Sequence, residues 1–136
     1  MSSVKVIRAL LVAAGDVTAR VPAERIVAGG VKEDTVLPAL GLTEVSSVPV
    51  GAFDAQAEYS VVTSRVQVTV MVERTGYPDM KALLDLVRRA CNFQRGLLAG
   101  VDVISVVRDT VGPDLEDMAG NHFQSIDFKV TYHEPN

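Results

Sequence analysis

One stretch, residues 65–93, reading RVQVTVMVERTGYPDMKALLDLVRRACNF, constrains the fold more than any other part of the chain. Val66, Val68, Val70 and Val72 alternate with Arg65, Gln67, Thr69, Met71 and Glu73. β-Branched residues at period two specify a half-buried strand, because successive side chains leave a strand on opposite sides. Gly76-Tyr77-Pro78-Asp79 breaks that strand. Beyond the break, Met80, Leu83, Leu84, Val87 and Cys91 recur at helical spacing, which predicts a helix over residues 79–93 with one buried stripe. A one-faced strand and a one-striped helix must bury their apolar sides together, which means helix packed on sheet.

The flanking sequence extends this unit. Val4, Ile7, Leu10, Leu11 and Ala14 form the stripe of a first helix, with Ser2 or Ser3 as its cap and Gly15-Asp16 as its stop. Pro22, Gly29, Gly30 and Pro38 divide the next segment into short extended pieces: a brief strand at residues 25–27 and a second at 35–45. Pro38 is tolerable only near a strand start or on a sheet edge. Residues 46–58, SSVPVGAFDAQAE, show no sustained period and read as a long loop, as do residues 110–121. Between the two loops lies a strand at 101–109, after a turn bracketed by Gly96 and Gly100. In the closing strand, HFQSIDFKVTYHE, the buried set is Gln124, Ile126, Phe128, Val130 and Tyr132, opposite Phe123, Ser125, Asp127, Lys129 and Thr131. Strands joined by loops are expected to pair antiparallel, and only the helix at 79–93 is long enough for a crossover. The expected fold is α+β: one domain over residues 1–136, with a single mostly antiparallel sheet of about four strands and two helices packed on one face.

Composition narrows the function classes. A net charge of −4 and a pI near 5.1 disfavour a wrapping contact with nucleic acid, which needs a basic face. Without Trp, and with 5% aromatics, a stacking platform for single-stranded bases is disfavoured too. No apolar run reaches the roughly 20 residues that span a bilayer, and Lys5 and Arg8 make the amino terminus an amphipathic helix rather than a leader.

The chemistry-bearing residues read blandly. His122 and His133 lack companions at metal-ligand spacing and read as solvated. Cys91 sits on the apolar stripe, as a core thiol would. DLEDMAGN (114–121) does not have calcium-loop spacing and reads as a solvated acidic tip. AGGVKE (28–33) lacks the spacing of a phosphate loop. Arg88 and Arg89 suit a helix carboxyl end beside Asp85, or reach a carboxylate on a neighbouring subunit. No residue is assigned a catalytic, cofactor-binding or metal-binding role. A small ligand-binding or regulatory α+β module, with the 46–58 loop closing over a ligand, is the alternative to an assembly protein.

Several phrases in order carry a resemblance: LLVAAGDVTARVPAERIVAGGV, LPALGLTEVS, RVQVTVMVERTGYPDMKALLDLVRRAC and HFQSIDFKVTYHE. Together they span nearly the whole chain and resemble the tail-completion or tail-terminator proteins of tailed bacteriophages. The resemblance implies a structural protein of the virion, assembled in the host cytoplasm, without enzymatic activity or cofactor. It implies a homo-oligomeric ring, of six copies, that caps the tail tube and joins it to the head-side connector at the head–tail junction. DNA would pass through the lumen without specific binding, and no membrane is involved; another neck or connector protein is the near alternative. The residues expected to meet a neighbouring subunit, the tube or the connector are Phe53, Asp54, Arg65, Gln67, Glu73, Arg88, Arg89, Asp114, Glu116 and Asp117.

Overall fold

The computed structural model describes residues 2–50 and 58–135. In chain order these form α1 (Ser2–Ala13), α2 (Gly15–Thr18), β1 (Ile26–Ala28), β2 (Ala39–Pro49), β3 (Tyr59–Val72) and α3 (Tyr77–Cys91). The second half continues with β4 (Gln94–Leu98), β5 (Val101–Val111), β6 (Leu115–Glu116) and β7 (His122–Pro135). One seven-stranded sheet holds all the strands in the order β1-β2-β3-β7-β5-β4, with β6 beside β7.

β3 buries Val66, Val68, Val70 and Val72, and the chain-closing β7, at the centre of the sheet, lies antiparallel to it. Ile126, Phe128, Val130 and Tyr132 extend the same apolar face across β7. Against it α3 sets Met80, Leu83, Leu84, Val87 and Cys91, all buried, and α1 adds Val4, Val6, Ile7 and Leu11. Each fully buried Val or Leu is worth about 1.5–3 kcal/mol relative to exposure, so this shared layer holds the fold together. α3 carries the chain over β7 and β5 to the far edge, where β4 begins. β3 and β4 run antiparallel through the intervening β7 and β5, so this helical link is not the parallel crossover its length would allow.

The architecture is richer than the sequence predicts: seven strands rather than about four, and three helices rather than two. Part of the region read as the 46–58 loop, residues 46–49, is strand. β2 runs on to Pro49, and β3 starts at Tyr59, with Pro49 opposite Val62. Residues 45–50 are exposed, so no alternation marks them; backbone pairing to β3 makes them strand. The 110–121 segment is likewise an arm rather than a free loop, because Leu115 and Glu116 pair with Phe123 and His122. A ladder of two residues is too short to leave a period in the sequence.

β1 and β2 pair parallel, against the antiparallel expectation. The connecting segment 29–38 carries the chain back, beginning at Gly29 with φ of 91°. That segment lies so close to β2 that a Cβ on Gly41 would stand 3.1 Å from the Gly29 carbonyl oxygen and 3.2 Å from Val31, so any side chain there would push the returning segment outward. Ser2 and Ser3 do not precede α1 as caps but lie in its first turn, and the Ser3 hydroxyl donates to Glu44 at 3.3 Å. α2 continues past the expected stop at Gly15-Asp16 and buries Val17. Ala99 and Gly100, with φ of 52° and 78°, make the tight turn between β4 and β5, the positive φ at both positions that a type I′ hairpin requires.

Candidate functional site

The sheet face opposite the helices is polar and cross-linked. Arg65 on β3 reaches Asp127 on β7 through Nη2 at 2.6 Å and Nε at 2.7 Å, both nitrogens converging on Oδ2. Asp109 on β5 stands 3.5 Å from Arg65 Nε and 3.9 Å from Lys129 Nζ. Gln67 donates to Ser125 at 3.3 Å, and the Thr63 and Thr131 hydroxyls share a 2.9 Å hydrogen bond. Arg65 and Gln67, both expected on this face, are therefore engaged within it rather than free. Asp127 is only 3% exposed although it lies on the open face, because Arg65 and its neighbours cover it. The alternation in β7 places Asp127 on this side, but its partner 62 residues away depends on strand register, which no local pattern encodes.

A second cluster fastens the arm at residues 112–121 to the start of α3. Lys81 Nζ donates to Asp114 at 2.6 Å and to the Gln124 side-chain oxygen at 2.7 Å. Tyr77 donates its hydroxyl proton to Asp114 at 2.5 Å, and its ring meets His122 edge-on with centroids 5.4 Å apart. His122 touches the Arg74 carbonyl through Nε2 at 3.1 Å, so it is a clasp residue and not the solvated side chain expected. The acidic tip is also not merely solvated. Asp117 accepts the N–H groups of Ala119 and Asn121, both at 2.9 Å, which fixes the turn, and Glu116 lies 3.6 Å from His122. Nothing in the spacing of Tyr77, Lys81 and Asp114 announces this meeting.

The clasp is charge-assisted and responds to pH. Hydrogen bonds from Lys81 and then Tyr77 hold the Asp114 carboxyl below its usual 3.8, and the bond to Asp114 raises Lys81 above its usual 10.5. A depressed carboxyl pKa stabilises the folded arm above the unfolded value and loses that contribution as pH falls through the folded one. A raised lysine pKa acts at the other end, its contribution fading as pH climbs past 10.5. Amide exchange in residues 112–121, corrected for its intrinsic pH dependence, is therefore expected to speed up below about pH 4 while the core amides of β7 stay protected. Asp114→Asn should abolish that pH step. An arm that exchanges equally at every pH would contradict the clasp.

At the other end of α3, Asp85 takes Arg88 at 2.6 Å and Arg89 at 2.9 Å, and hydrogen bonding from Arg88 chiefly lowers its pKa. The pairing within the helix is thus present. Between this pair and the clasp runs a groove of about 210 Å³ lined by Lys81, Leu84, Asp85, Arg88, Arg108, Val111 and Ile126. Glu73 is exposed where β3 turns into α3. Phe53 and Asp54 lie outside the described residues. His133 contacts Asp102 at 2.9 Å and Tyr59 edge-on, so it too has partners. Cys91 is buried, and desolvation pushes its thiol to about 12, as befits a core cysteine. Among the described residues no group of three or more His, Cys, Asp or Glu could hold a metal, and no helix is long and apolar enough to cross a membrane.

The family comparison turns this polar, multiply pinned scaffold into an identity. The family model for Tail completion protein gp17 matches residues 5–132. The chain belongs to that family. A chain of the solved "Virion of native gene transfer agent (GTA) particle" shares the fold, with a TM-score of 0.71 at 12% identity, covering 95% of this chain and 92% of that one. No curated protein matches the chain. As a bacteriophage tail completion protein, the chain is a structural component of the virion, and its family implies a non-enzymatic role.

Proposed function

We propose that this tail completion protein closes into a ring of six copies that caps the finished tail tube, ends its polymerisation and presents a surface to the head-side connector. The observation that carries the reading is the family match over residues 5–132. Supporting it is an architecture that spends its polar side chains on holding strands and arm in place. A rigid subunit suits a ring, which closes only when every copy keeps the same angle. Catalysis has no part in this reading. The protein is made and assembled in the host cytoplasm, and DNA crosses the lumen without specific contacts, which a net charge of −4 favours by like-charge repulsion.

In such a ring Gln67, Glu73, Arg88, Arg89 and Glu116, together with Phe53 and Asp54, are the side chains that meet a neighbour, the tube or the connector. Arg65, Asp114 and Asp117 act there by shaping the sheet face and the arm. Light scattering across a concentration series, alone and with isolated tail tubes, tests the ring. Growth to one closed multimer is expected. A chain that remains monomeric in both settings would refute it.

A further inference from the structure

The two edges of the sheet differ from one another. β1 covers β2 only at Leu40, Gly41 and Leu42, and its shield ends where the Gly29 N–H donates to the Leu42 carbonyl at 2.7 Å. From Thr43 to Pro49, β2 pairs only with β3 among the described strands. Along this stretch Val45, Val48 and Val50 are 49%, 56% and 51% exposed. Val50 donates its N–H inward to Val61, so by alternation Ser47 points its N–H outward, and Pro49, next in that row, has none. A groove of about 330 Å³, lined by Val4, Ala28, Gly29, Leu42, Thr43 and Glu44, opens where β1 stops.

At the opposite edge β4 pairs only with β5 among the described strands, and Phe93 and Leu97 are 82% and 76% exposed. β2 carries Glu44 and no cation, whereas β4 carries Arg95 and no acid. Proteins usually blunt such edges with charges, prolines or a covering element. Here the two edges are partly apolar, unlike each other and opposite in formal charge, and each is bent by a bulge, between Glu44 and Ser46 on β2 and between Gln94 and Gly96 on β4. Unlike surfaces on one chain make a heterologous contact, which closes into a ring when the rotation permits.

We propose that copies of this chain join edge to edge, the β4 edge of one pairing beside residues 43–47 of β2 in the next and packing Phe93 and Leu97 against Val45 and Val48. The contact is strand addition between identical chains: main-chain hydrogen bonds supply the affinity and exposed apolar side chains the register. This rests on the ring reading and says which surfaces close it.

Paired cysteines test it. β2 and β4 are not neighbours in one chain, and a bridge within a single chain would leave a monomer and add no rung to a ladder. Native Cys91 is buried and stays silent. A chain carrying Val48→Cys and Leu97→Cys, which share the open face with Thr63 and Asp102 opposite them, oxidised where scattering shows the closed multimer, is expected to give a covalent ladder ending at the ring size. Neither single variant should give one. Hydrogen exchange on the unaltered protein should show the amides of residues 43–47 and 94–97 becoming protected at least tenfold on assembly. Rings with no ladder, a ladder from a single variant, or no new protection would overturn the edge contact and leave the ring standing. Failure to form any multimer, alone or on tail tubes, would remove both.

Discussion

Replacing Phe128 with alanine is expected to lower the unfolding free energy by about 3–5 kcal/mol, read as a fall in the urea midpoint at unchanged slope. Among the described residues Phe128 is the largest wholly buried side chain, 0% exposed, on the strand that β3 and β5 flank. It stands opposite Val66 and in the layer that α1 and α3 cover. Truncation there removes transfer energy and leaves a cavity that a pinned sheet cannot close. Set against a typical 5–15 kcal/mol, the loss consumes about a fifth or more of the total stability. Phe93→Ala is the control, since a ring 82% exposed should change stability by less than about 0.5 kcal/mol. Equal losses at the two sites would contradict the placement of the core.

Arg65→Met is expected to cost about 2–4 kcal/mol, more than an exposed ion pair is worth. Arg65 itself is 40% exposed, but its partner Asp127 is 4% exposed and accepts from Nε and Nη2 of the guanidinium on Oδ2. Without Arg65, Asp127 is left buried with Asp109 as an acidic neighbour of the same site. The penalty is that of an uncompensated charge rather than of a lost contact. Adding Asp127→Leu to the variant should therefore recover at least half the loss, whereas two independent contributions would sum. Further destabilisation on the second substitution would show that the pair is not the origin of the effect.

The sequence discloses this fold where one face is apolar and the other wet. The α3 stripe from Met80 to Cys91, the valines of β3 and the even-numbered positions of β7 from Gln124 to Tyr132 are all buried as their spacing predicts. The pattern fails where burial does not discriminate. Residues 45–50 are exposed on both sides and become strand only because β3 lies beside them. Leu115 and Glu116 are too few to show a period, and the parallel β1–β2 pairing depends on a return path set by Gly29 and Gly41.

The candidate surface is legible only in outline. Alternation assigns Arg65, Gln67 and Asp127 to the open face, but the Arg65–Asp127 pair, like the Lys81–Asp114 clasp, joins residues more than 30 positions apart. Such pairs follow from strand order. The family phrases, which record turns and apolar positions over most of the chain, carry the functional reading further than any single residue does.

Tail-tube growth observed by electron microscopy tests the central claim most directly. Tubes first exposed to this protein and then supplied with fresh tube subunits should hold their length, each ending at one tip in a single added ring with an open lumen. Tubes that lengthen as fast as untreated ones, or that gather the protein along their sides and not at a tip, would contradict it.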